Sequence, residues 1–111
     1  FLIASDDRPT ILFFHHRPKL DLLDTPRLFE IIGPMTKVKA VVYGHSHEFR
    51  FSEYNGIHMI NLPATGFNMS GSQPVGWVEA RLTEKAGEFA LHALSGNRKM
   101  DGCSERLCWR A

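Results

Sequence analysis

Val38-Lys39-Ala40-Val41-Val42-Tyr43 runs directly into Gly44-His45-Ser46-His47, and the reading of this junction decides the fold. The run is short, β-branched and aromatic, the composition of a buried strand. Two histidines one residue apart, just past a strand end, project to the same side if the backbone stays extended, with Ser46 pointing away. Gly44 is expected to spare a side chain that would crowd the imidazoles where the chain turns. Neutral imidazoles paired in this way suit a transition metal, being good ligands for Zn, Fe, Mn or Ni.

Upstream, Thr10-Ile11-Leu12-Phe13-Phe14 is a second apolar run, and it ends in His15-His16-Arg17-Pro18. Two buried strands therefore each end in histidine, and ligands of open α/β sheets gather outside strand ends. Between them, Asp24 or Thr25 is placed to cap a helix whose first position takes Pro26. Leu28, Phe29, Ile31 and Ile32 supply its apolar face, and Gly33-Pro34 stops it. Strand, helix, strand is a crossover unit, and it implies neighbouring parallel strands.

Downstream the pattern alternates. Phe49 to Tyr54 and Ile57 to Leu62 flank Asn55-Gly56, the strongest two-residue hairpin signal. Pro63 to Pro74 is a loop rich in Gly, Ser and Asn, long enough to carry function. Its stretch Thr65 to Gly71 either borders a substrate cleft or is a surface loop packed by Phe67. Gly76 to Leu82 and Glu88 to Leu94 read as a second hairpin joined through Thr83 to Gly87. Ser95 to Ala111 is polar with weak periodicity and reads as a tail packed through Leu107 and Trp109.

Composition narrows the function. The chain has 111 residues, 43% of them hydrophobic, a formal net charge of +1 and six histidines, so a small core is possible. The near-neutral balance argues against a nucleic-acid polymer or a membrane surface as partner. No apolar stretch approaches the roughly 18 residues of a membrane span. Phe1 to Ala4 is too short for a signal peptide and reads as the end of a helix. Cys103 and Cys108 lack zinc-knuckle spacing and read as free thiols rather than a local disulfide. Arg17 could reach a phosphate, although an ion pair is the plainer role. His58 and His92 lie inside strand patterns and read as half-buried structural histidines.

His15-His16-Arg17-Pro18 at one strand end, followed by Gly44-His45-Ser46-His47 at the next and then a hairpin, resembles the last two ligand blocks of the calcineurin-like metallophosphoesterases. The likeness is greatest to the branch that hydrolyses cyclic nucleotides and other phosphodiesters. It covers Ala4 to Leu94. The family's earlier blocks, Asp-x-His, Gly-Asp-x-x-Asp and Gly-Asn-His-Asp/Glu, have no counterpart; Asp6-Asp7 and the segment Asp21 to Asp24 lack the glycine and histidine context. The resemblance implies an α/β fold, half of a four-layer α/β/β/α sandwich, with a β-α-β unit followed by β-hairpins. It implies that residues 1–94 are the C-terminal part of a phosphoesterase domain, that 95–111 is a C-terminal tail, and that a longer parent supplies the rest.

The resemblance also implies chemistry. A pair of divalent or trivalent transition-metal ions, Fe, Mn or Zn, would clamp a small phosphoester and activate water, without a nucleophilic side chain. His15 and His45 would bind one ion and His47 the other, with His16 a catalytic group beside them, although His15 and His16 could exchange roles. Three histidines do not saturate two ions, so the full-length parent is expected to be the enzyme and this stretch alone to be inactive. Other readings stay open. One is a non-catalytic scaffold of the same fold. Another is a mononuclear zinc hydrolase built on His15, His45 and His47 alone. A histidine-triad hydrolase fails, because Glu48-Phe49 stands where a third alternating histidine is needed. A cytoplasmic location is slightly favoured, and an isolated chain is expected to expose a sheet edge and an apolar face and so to be poorly stable or to self-associate.

Overall fold

A computed structural model describes residues 5–111; the helix end expected at Phe1 to Ala4 lies outside the described residues. The elements run β1 (Thr10–Phe13), α1 (Thr25–Ile32), β2 (Val38–Tyr43), β3 (Arg50–Tyr54), β4 (Ile57–Asn61), β5 (Pro74–Leu82), β6 (Ala86–Gly96), a 3-10 turn (Arg98–Met100) and β7 (Ser104–Cys108). They build two sheets, one ordered β1-β2-β4-β3 and one ordered β5-β6-β7. β1 and β4 both pair parallel with β2, and β3 closes the first sheet antiparallel to β4. The crossover unit and the first hairpin thus share one sheet.

The two faces of β2 set the layers. Val38 and Val41 join Ile57 and Met59 of β4 against Phe29 and Ile32 of α1. Ala40, Val42 and Ile60 face the other way and pack on Phe89 and Leu107 of the second sheet. Both faces of β2 are therefore covered, as its near-continuous apolar run requires. The result is three layers, helix on sheet on sheet, of the mixed α/β kind expected. Among the described residues, no helix covers the outer face of the second sheet, where Trp77 stacks on His92 with ring centroids 4.1 Å apart.

Several local expectations need correction. Ile31 is 42% exposed and lies off the buried stripe of α1. Asp24 occupies the cap position without a side-chain bond. The Thr25 hydroxyl instead donates to Leu22 O (2.6 Å) and accepts from Lys19 N (2.7 Å), which ties the loop ahead of the helix. Gly33 sits in the right-handed helical region, so the helix stops because Pro34 offers no N–H, not through a left-handed cap. Residues 95–111 hold more order than weak periodicity suggested. Gly96 still belongs to β6, and β7 pairs antiparallel with it from Ala86↔Cys108 to Ala90↔Ser104. Leu107 is buried and Trp109 packs on the same cluster, as expected of them.

Asn55 (φ 50°) and Gly56 (φ 79°) are both left-handed, the type I′ geometry that Asn-Gly favours. Against this turn lies Arg110. Its guanidinium donates to Val38 O (3.0 Å), Gly33 O (3.0 Å), Asn55 O (3.2 Å), Ile32 O (3.2 Å) and Met35 O (2.7 Å). One cation thereby caps the C-terminal end of α1, the start of β2 and the β3–β4 turn together. His58 contributes a second tie between the sheets, its Nε2 lying 2.7 Å from Cys108 O, and His92 stands 3.2 Å from Glu79. Both histidines are structural. Cys103 and Cys108 are free and exposed.

Candidate functional site

The parallel pairing of β1 and β2 continues past the ends of both strands. Phe14 N donates to Val42 O (2.9 Å), and Gly44 N donates to His15 O (3.1 Å). These two bonds set the strand tips side by side and bring their imidazoles together. His45 Nδ1 and His15 Nε2 face each other at 3.2 Å. The His16 ring lies close to both, with centroids 5.2 Å from His15 and 4.9 Å from His45.

The histidine loop is not extended, contrary to expectation. His45 (φ 75°) and His47 (φ 58°) are both left-handed, and Ser46 N donates back to Gly44 O (3.0 Å). A β-carbon at Gly44 would meet nothing within 4 Å, so this glycine does not relieve crowding. Ser46 does turn away from the imidazoles, and it meets Asn61, whose Nδ2 donates to Ser46 Oγ at 2.6 Å. Asn61 is 2% exposed at the tip of β4, and its Oδ1 is buried without a hydrogen-bond partner among the described residues. Sequence reasoning passed over Asn61. The available signal was an amide directly following the buried pair Met59-Ile60 at a strand end.

His15, His45 and His47 line one hollow of about 260 Å³, whose far wall is the segment Leu62 to Phe67. The His47 ring stands edge-to-face with Phe67, centroids 6.2 Å apart. Its Nδ1 is buried and has no partner among the described residues. His16 lines an adjoining recess together with His15, Phe14, Leu22 and Arg27. Among the described residues, no set of three or more His, Cys, Asp or Glu side chains is arranged to hold one ion.

Arg17 is committed elsewhere. Its Nε and Nη2 form a fork on Asp21 at 2.6 and 3.0 Å, and its backbone N–H adds a third bond at 3.2 Å. The Arg17 hydrogen bonds hold the Asp21 carboxyl down to about 2, and the same pair raises the Arg17 guanidinium. The ion-pair role read for Arg17 is the one observed.

No family model matches the chain. It is 32% identical over 96 residues to the 3',5'-cyclic adenosine monophosphate phosphodiesterase CpdA of Haemophilus influenzae, covering 70% of this chain and 35% of that protein. It is 31% identical over 91 residues to a probable cyclic nucleotide phosphodiesterase of Synechococcus, covering 72% of this chain and 35% of that protein. The chain thus spans about a third of the length of these relatives. In structure it is similar to Chaetomium thermophilum Vps29 solved in complex with a cyclic peptide, with a TM-score of 0.56 at 14% identity over 90% of this chain and 56% of that one.

Proposed function

The chain belongs to the calcineurin-like metallophosphoesterase family, and on that premise we propose that its parent protein is a metal-dependent phosphoesterase acting on small phosphoesters, phosphodiesters among them. The observation that carries this reading is the convergence of His15 and His45 from two separate strand tips, 3.2 Å apart at the ring nitrogens.

The donors fit metal ions. Two nitrogens held by one ion at about 2.0–2.1 Å stand about 3.0–3.4 Å apart across ordinary bond angles, and the His15–His45 spacing falls within that range. The buried, unpartnered His47 Nδ1 is a second indication, since a buried ring nitrogen without a partner is costly unless something binds it. On this reading His15 and His45 hold one ion and His47 the other, with Fe, Mn or Zn compatible with imidazole. Ions there supply Lewis acidity toward phosphoryl oxygens and make bound water more acidic.

The chain's own residues do the rest of the local work. His16 is the proposed catalytic group that packs on both His15 and His45 and fixes their ring orientation. Asn61 holds Ser46, and through it the left-handed turn that presents His45 and His47. Because three histidines leave two ions short of ligands, the remaining ligands come from parts of the parent outside the matched third. Residues 1–94 are the phosphoesterase portion in this proposal and 95–111 its C-terminal extension. No described helix is long and apolar enough to cross a membrane, and a small phosphoester is the proposed partner.

The test is metal analysis together with a bis-p-nitrophenyl phosphate assay on the full-length parent and its His45→Ala and His47→Ala variants. Loss of bound metal and of hydrolysis in both variants is expected. Wild-type activity and metal content in both would end the reading. A second reading, a non-catalytic scaffold of the same fold, draws support from the peptide-bound Vps29. It would prevail if the full-length parent bound no metal and hydrolysed no phosphoester.

A further inference from the structure

We propose that the groove between α1, β3 and the loop 17–24 is the contact surface of a two-fold homodimer, in which Leu23 of each copy seats in the groove of the other and Lys19 of each meets Glu30 of the other. The surface is separate from the histidine hollow, and the proposal does not depend on metal.

The groove lies where one short helix leaves the first sheet incompletely covered. α1 has eight residues, and a helix about 10–12 Å across is narrower than four strands about 4.8 Å apart. What stays open is a groove of about 690 Å³ with Leu20, Leu22, Leu23, Phe29 and Tyr54 in its lining. Its floor is aromatic, the Phe29 and Tyr54 ring centroids standing 4.2 Å apart. Leu23 is 92% exposed, the most of any large apolar side chain among the described residues, and Leu20 is 69% exposed. One exposed leucine is ordinary; two of them beside an apolar groove make a patch.

The loop that displays them is firmly built. Arg17 O accepts from Leu20 N (3.3 Å), Asp21 N (3.0 Å) and Leu22 N (3.1 Å), and Thr25 Oγ1 accepts from Lys19 N (2.7 Å). These bonds hold Lys19 at φ 69°, a left-handed backbone that is unfavourable for any residue with a β-carbon. Such strain persists only where the surroundings enforce it. Here it sets the Lys19 ammonium 3.9 Å from the Tyr54 ring centroid. Among the described residues, Lys19 has no carboxylate partner. Glu30 lines the same groove and meets Arg27 at 3.0 Å in an exposed pair that contributes little.

A two-fold contact sets a patch against itself, so the patch must carry both halves of every interaction. This one does: knob and groove, unpaired cation and carboxylate. A partner of different sequence would have to bring a matching set of groups, whereas a second copy already has them. An aromatic floor dried by a leucine is a pocket in which binding energy concentrates. The cation on that floor is held more strongly once water leaves.

Sedimentation equilibrium of the full-length parent tests this, in the wild type and in Leu23→Asp, Lys19→Glu and Glu30→Lys. The wild type should be a reversible dimer. Leu23→Asp should weaken it about 30-fold or more, and each charge variant about 5- to 20-fold. Mixing Lys19→Glu with Glu30→Lys should restore a dimer of wild-type strength, because only the mixed pair opposes unlike charges at both contacts. A monomeric wild type overturns the proposal, and so does a mixture no tighter than either variant alone. Variants that dimerise as the wild type does overturn it too. A Leu23→Asp parent with a lower urea midpoint but unchanged association also overturns it, because another segment of the parent then fills the groove. Neither metal content nor hydrolysis enters these measurements, so the phosphoesterase reading stands or falls separately.

Discussion

Arg110→Met should be among the most destabilising single changes available outside the apolar core. The methionine keeps most of the stem that packs on the Asn55-Gly56 turn and removes five hydrogen bonds donated by one cation. The bond to Asn55 O is exposed, and water replaces it cheaply. The other four are part-buried and matter more. Hydrogen bonds to a charged donor contribute roughly 1.5–3 kcal/mol each in isolation, but bonds sharing one group are far from additive, and the freed carbonyls recover some water. Ile32 and Gly33 also lose a positive charge at the C-terminal end of α1, a loss of about 0.3–1 kcal/mol. A net loss of about 3 kcal/mol follows. For a domain of this size that is a urea midpoint lower by about 2 M, read by circular dichroism. Arg110→Lys should recover only part of it, because an ammonium has three donors and no fixed fork. A midpoint for Arg110→Met within about 0.3 M of wild type would refute the reasoning.

Three further outcomes are expected. In the full-length parent, His45→Ala should release metal. His16→Ala should keep the metal and lower kcat about 10- to 100-fold, and equal metal loss in both would show that His16 is itself a ligand. Asn61→Leu gives up one hydrogen bond, about 1 kcal/mol, and also removes an unpartnered buried carbonyl worth about 1–3 kcal/mol. Its urea midpoint should therefore hold while metal affinity, measured by competition with a chelator, falls; a marked loss of stability would show that Asn61 Oδ1 has a partner in solution. The Asp21 carboxyl sits at about 2 in the fold, below its ordinary 3.8. The Arg17–Asp21 pair therefore favours the fold above pH 3.8 and loses that effect as pH falls toward 2. Asp21→Asn should flatten the stability profile across that window, and an unchanged profile would count against the pair.

The fold was legible where one kind of residue repeats. β2 matched its apolar run end to end, and Asn55-Gly56 placed the turn of the first hairpin to the residue, because each is signalled by neighbouring residues alone. β7 was hidden. Only Leu107 in Ser104-Glu105-Arg106-Leu107-Cys108 is buried, so a strand with one inward side chain looks like tail. The site was half legible. Motif spacing placed His15 and His45 at strand tips that do meet. It gave little warning that His45 and His47 take left-handed backbone, since histidine signals it far more weakly than glycine does. The Asn61–Ser46 bond and the Arg110 clamp each join separate segments of the chain, and local pattern names the partner of neither.

The left-handed turn at His45 and His47 has a bearing on how this protein would respond to laboratory evolution. Glycine or asparagine would occupy either position with less backbone cost. A library screened for heat resistance alone should therefore accumulate those residues at 45 and 47. The survivors would be sturdier, and they would lack two of the imidazoles on which the proposed chemistry depends.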